Sequence, residues 1–89
     1  MKTIEGFVLR PLGKEFIVIG EGIAQVDFNR MISMNSSAAY LWQKVEGKEF
    51  TVEDLRDYLL EEYEVDPETA AADAAEVARQ WIDAGIVSE

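Results

Sequence analysis

The residues best placed for chemistry are Ser36 and Ser37, in the stretch Met31-Ile32-Ser33-Met34-Asn35-Ser36-Ser37-Ala38-Ala39-Tyr40-Leu41-Trp42. A hydroxyl at such a strand-to-helix junction could be a nucleophile, a glycan-adjacent Asn-X-Ser acceptor, or the attachment point of a phosphopantetheine arm. The chain contains neither Cys nor His, so Ser-His-Asp and Cys-His devices are excluded, as are thiolate and imidazole metal ligands. Residues 1–20 carry no basic head followed by an apolar run, so no secretory signal is expected and Asn-X-Ser has no glycosylation context. A carrier-protein serine usually sits in an Asp-Ser-Leu context after an earlier helix. Here the context is Asn-Ser-Ser-Ala after strand-like residues. The carrier reading, with the arm on Ser36 or Ser37, is therefore the weaker alternative to a plain helix cap, which Asn and Ser supply without any chemistry.

Other reactive constellations are equally sparse. Glu61, Glu62, Glu64 and Asp66 lack the alternating oxygen ligands and central Gly of a calcium loop. No Gly-rich phosphate loop precedes a helix, and nothing orients a pair of carboxylates as acid and base. Neither catalysis nor a bound cofactor or metal is expected.

Charge narrows the partners further. Residues 1–50 hold six Lys or Arg against six Asp or Glu. Residues 51–89 hold two basic residues, Arg56 and Arg79, against twelve acidic ones, which is the whole net charge of −10. Such a surface repels nucleic acid and anionic lipid. No apolar run approaches the ~18–20 residues that span a membrane, and a cytoplasmic protein is expected.

The elements that hold these residues follow from periodicity and punctuation. Phe7-Val8-Leu9, then Pro11-Leu12-Gly13-Lys14, then Phe16-Ile17-Val18-Ile19 read as a hairpin. Ile23 to Phe28 is ambiguous, and Asp27-Phe28-Asn29-Arg30 has turn chemistry. Met31 to Met34 reads as a third strand, with Ile32 and Met34 on one face. A first helix starts at Asn35 or Ser36 and ends at Gly47, with Ala38, Leu41, Trp42 and Val45 on one stripe. Thr51-Val52-Glu53-Asp54 opens a second helix with a capping box, and Val52, Leu55, Leu59 and Tyr63 form its stripe. Asp66-Pro67-Glu68 opens a third, which Gly85 closes. One domain over residues 1–89 is expected, with strands in the first third and three helices after them.

The third helix is apolar over half its circumference. Ala70, Ala74, Val77, Trp81 and Ala84 form one stripe, and Ala71, Ala75, Ala78 and Ile82 a second beside it. This is more than packing on one neighbour requires. The helix is either wedged between the sheet and two helices or lines a shallow groove with its second stripe. A winged-helix DNA-binding regulator is the architectural rival. From Asp66 to Ala84, however, five acidic residues accompany one Arg, the reverse of what phosphate contact needs. What remains is the short strand at Met31 to Met34, whose unpaired backbone groups could accept an extended peptide.

Met34-Asn35-Ser36-Ser37-Ala38-Ala39-Tyr40-Leu41-Trp42, Gly47, Thr51-Val52-Glu53-Asp54-Leu55, Glu61-Glu62-Tyr63-Glu64-Val65-Asp66-Pro67-Glu68, Asp73 and Ala84-Gly85-Ile86-Val87 together resemble the PqqD family. The resemblance spans residues 31–89 and, less specifically, Gly6 to Arg10. It implies an α+β, winged-helix-like fold, a three-stranded antiparallel sheet followed by three helices, and a peptide chaperone, the recognition element for ribosomally made and modified peptides. The precursor's leader is then expected to pair with Met31, Ile32, Ser33 and Met34 and to lie against Ala71, Ala75, Ala78 and Ile82. The partners implied are that leader peptide and a peptide-modifying enzyme, often a radical SAM protein. The resemblance does not imply pyrroloquinoline quinone synthesis, since relatives serve other pathways.

Overall fold

A computed structural model describes residues 1–20 and 32–89. The ambiguous segment Ile23 to Phe28, the turn at Asp27 to Arg30 and the strand position Met31 lie outside the described residues. The elements are β1 (Lys2–Thr3), β2 (Phe7–Leu12), β3 (Glu15–Gly20), β4 (Ile32–Met34), α1 (Ser36–Val45), α2 (Val52–Glu62), α3 (Pro67–Ala84) and β5 (Val87–Ser88).

Strands β2, β3 and β4 form an antiparallel sheet in that order. Leu12 pairs with Glu15, so Gly13 and Lys14 alone make the turn. Gly13 has φ of 63° and Lys14 has no positive φ, the pattern of a II′ turn that needs Gly first. Cross-strand neighbours Phe16 and Met34, and Val18 and Ile32, put one face of β3 and β4 against the helices. Ser33, on the opposite face, is exposed.

Each helix starts where its cap dictates. The Asn35 side chain accepts the Ala38 N–H at 2.8 Å. Thr51 and Asp54 satisfy each other's backbone N–H groups at 3.1 and 3.0 Å, a complete capping box. Asp66 accepts from Thr69 at 2.8 Å, with Pro67 at the first helical position. That bond, with the Thr69 backbone as its largest cause, holds the Asp66 carboxyl below the usual carboxylate range. α3 ends on Gly85 in the left-handed region, φ 76°, and Ile86 and Val87 turn back into the core.

The core is aromatic at its centre. Trp81 meets Trp42 edge-to-face at 5.3 Å and Phe50 at 6.2 Å. Around them Val18, Leu41, Leu55 and Ile86 are fully buried, each contributing about 1.5–3 kcal/mol relative to exposure. On α3 the buried line is Ala70, Ala74, Ala78 and Trp81, while Val77 and Ala84 are only half-buried. The helix is thus rotated so that Ala78, expected on the groove stripe, faces the core.

The sequence did not foretell a second, two-stranded sheet. β1 pairs antiparallel with β5, Lys2 opposite Ser88 and Thr3 opposite Val87. Met1 and Phe50 exchange backbone bonds at 2.8 Å, and buried Thr3 accepts the Gly47 N–H at 3.0 Å. These bonds fasten the two chain ends to the α1–α2 turn.

Candidate functional site

β4 lies at the end of the sheet order. β3 occupies one of its sides, and among the described residues no strand pairs with the other. In an antiparallel ladder, backbone groups turn alternately toward the two neighbours, so among the described residues the N–H and C=O groups on this side have no strand partner. Met34 is buried, Ile32 half-buried and Ser33 exposed, so the strand is anchored by one face, and among the described residues no strand covers its outer edge.

The edge stops at Asn35, where α1 begins at once. Asn35 Oδ1 takes the Ala38 N–H and also the Ser37 hydroxyl, at 3.0 Å. Ser37 is therefore occupied in the cap, and Ser36 is the exposed first residue of the helix.

Next to this stop, a cavity of about 480 Å³ opens between all three helices. Asn35, Ser37 and Leu41 line it from the start of α1, and Leu59, Tyr63 and Val65 from the end of α2. α3 contributes Asp73, Glu76, Val77 and Gln80. The floor is apolar and the α3 rim is polar. Glu76 is held below its usual carboxylate range chiefly by hydrogen bonds from Arg79 and then from Gln80. Arg79 also reaches Asp83 at 3.3 Å, and its own pKa is raised by Glu76 first. Asp73 forms no ion pair or hydrogen bond among the described residues.

Tyr63 joins the cavity to the outer surface. Its ring meets Tyr40 edge-to-face at 6.0 Å, and Lys44 Nζ lies 5.6 Å from the Tyr40 ring and 5.9 Å from that of Tyr58. Burial pushes the Tyr40 hydroxyl pKa up, with Glu62 and Glu61 adding to it. Among the described residues no three acidic side chains gather in a metal-binding arrangement, and no helix is long and apolar enough to cross a membrane.

None of the four α3 positions expected to face a peptide lines this cavity. Ala78 is 3% exposed and belongs to the core. Ala75 is exposed, and Ala71 and Ile82 are half-buried. At roughly 100° per residue, Ile82 lies about 140° around the helix from Val77, on the other flank of the buried line. Sequence reasoning assigned Val77 to the core stripe and set Asp73 and Gln80 aside as surface polar residues. The available signal was their spacing, since 73, 77 and 80 follow one helical flank as i, i+4 and i+7.

A family model described as Coenzyme PQQ synthesis protein D (PqqD) matches residues 7–87. The chain belongs to the PqqD family. Among solved structures it is similar in fold to TbiB1, determined in complex with the TbiA(beta) leader peptide. The TM-score is 0.72 at 18% identity, covering 100% of both chains. No curated protein matches it. In this member of the PqqD family, the segments that carry the resemblance are junctions. Met34-Asn35 ends β4 and caps α1, Thr51–Asp54 is the capping box of α2, Asp66-Pro67 starts α3, and Ala84-Gly85 ends it. The PqqD match leaves out β1, the strand that ties the amino-terminal end to β5.

Proposed function

We propose that this chain is a leader-peptide-binding module that presents a ribosomally made precursor to a modifying enzyme, without catalysing the modification. The open edge of β4, ending beside an apolar cavity, is the observation that carries this reading. An extended leader adding to Ile32, Ser33 and Met34 gains backbone hydrogen bonds, and the cavity offers a place for its side chains. Membership of the PqqD family supports it, as does the leader peptide bound to TbiB1, which shares this fold. Three strand residues and one cavity make a small interface, near the lower end of the ~1,200–2,000 Å² class. The modifying enzyme, of the radical SAM class, would meet a surface other than the β4 edge.

The test is an amide NMR titration with the synthetic leader of a short precursor encoded beside the gene. Perturbations are expected at Ile32–Asn35 and at Val77 and Gln80 on α3. Perturbations confined to the outward face of α2 would refute the assignment. Shifts at Ala71, Ala75 and Ile82 with none at Val77 would move the groove to the other flank of α3.

A further inference from the structure

Peptide binding at β4 leaves open which peptides are chosen, and the cavity beside Asn35 bears on that choice. Its floor is Leu41, Leu59, Tyr63 and Val77, and its α3 rim carries Asp73 and Glu76. The two carboxylates differ. Glu76 is compensated by Arg79, whereas Asp73 has no partner among the described residues and borders the apolar floor uncompensated. The acidic excess of residues 51–89, two basic against twelve acidic, adds a negative field over the same helices.

Asn35 directly follows β4 and lines the cavity, so a peptide continuing beyond Met34 reaches the cavity mouth. In an extended peptide, residues two apart share a face and stand about 6–7 Å from one another. A side chain seated on the floor would thus bring a neighbour to the rim. The volume of about 480 Å³ falls within the ~300–1,000 Å³ of ligand pockets. It leaves room for the methylene stem of a Lys or Arg whose charged head stays wet.

We propose, resting on the peptide-binding reading, that the cavity takes a bulky apolar side chain of the leader and that Asp73 selects a Lys or Arg two residues from it, on the same face of the extended peptide. The recognised leader is therefore a basic-apolar segment, and an acidic residue at the same position is rejected by like charge.

A random peptide display library, selected on the whole chain, tests this directly. Peptides taken by the wild type should pair a bulky apolar residue with a Lys or Arg two positions away. Selection on Asp73→Lys should replace that basic residue with Asp or Glu, and wild-type-selected peptides should bind this variant at least tenfold more weakly. Asp73 is exposed on α3, so the substitution is compatible with the fold, and circular dichroism verifies it. An apolar preference without a basic neighbour, or the same pool from both proteins, would overturn the proposal. Proline variants at Ile32 and Ser33 separate the two levels. Selected peptides that bind both variants as tightly as wild type would sink edge binding itself. Proline-sensitive peptides with no charge preference would sink only the selection by Asp73.

Discussion

Proline placed on β4 distinguishes the backbone that holds the sheet from the backbone that is offered to a peptide. Ile32, Ser33 and Met34 stand opposite Val18, Ile17 and Phe16 of β3. Because an antiparallel strand turns its N–H and C=O pairs to alternate sides, Ser33 points one way and Ile32 with Met34 the other. Proline at the residue bonded to β3 removes a ladder bond and lowers stability. Proline at the outward residue keeps the ladder, as edge strands allow, but removes a donor from the peptide site. The lost donor leaves a peptide carbonyl unsatisfied, which costs about 1–3 kcal/mol, or about 5- to 150-fold in Kd. Ile32→Pro and Ser33→Pro should therefore show crossed phenotypes, one melting lower and the other binding more weakly. Thermal melts by circular dichroism and anisotropy of a fluorescein-labelled leader read the two effects separately. If both variants, while folded, bound the leader as the wild type does, strand addition at β4 would be refuted.

Other expectations concern the scaffold. Ala78→Phe should overpack the core next to Trp81 and cost about 1–3 kcal/mol, seen as a lower denaturation midpoint, instead of acting as a simple plug in the groove. Gly85→Ala must hold a left-handed φ of 76°, so about 1–2 kcal/mol is expected, or a Tm lower by about 4–16 °C. The depressed Asp66 pKa means that its cap contributes stability above the carboxyl's unfolded pKa and loses it as pH falls through the lower folded value. Asp66→Asn should flatten the acid limb of the stability profile in urea titrations run from neutral to acid pH, and an unchanged slope would deny the cap that role.

What was legible in the sequence was local. Caps and turns act within three or four residues, so Asn35, Thr51 with Asp54, Asp66-Pro67 and Gly85 mark the helix ends that the structure shows. The hairpin at Gly13-Lys14 and the strand before Asn35 are local in the same sense. Long-range features were not legible. β1 and β5 are two residues each and pair across nearly the whole chain, too short for any alternation to register. The rotation of α3 was hidden because its arc is mostly Ala, and residues of one size cannot rank which of them faces a core. Trp42 and Phe50, distant in sequence, settle it by enclosing Trp81, and Ala78 turns inward with it.

That rotation also bears on how selectivity can arise here. Backbone pairing along Ile32–Met34 is blind to sequence, since every non-proline peptide offers the same N–H and C=O groups. An edge alone would bind extended chains indiscriminately, so discrimination has to come from side-chain contacts next to it. Ala70, Ala74 and Ala78 bring α3 close to the core, while Val77 and Gln80 line the cavity that Asn35, at the end of β4, also borders. The positions that would read the peptide are thus separate from the positions that keep the helix packed. If the leader lies in this cavity, as proposed, a change at Val77 or Gln80 alters which peptide fits without loosening Trp81 from Trp42, whereas a change at Ala78 does not.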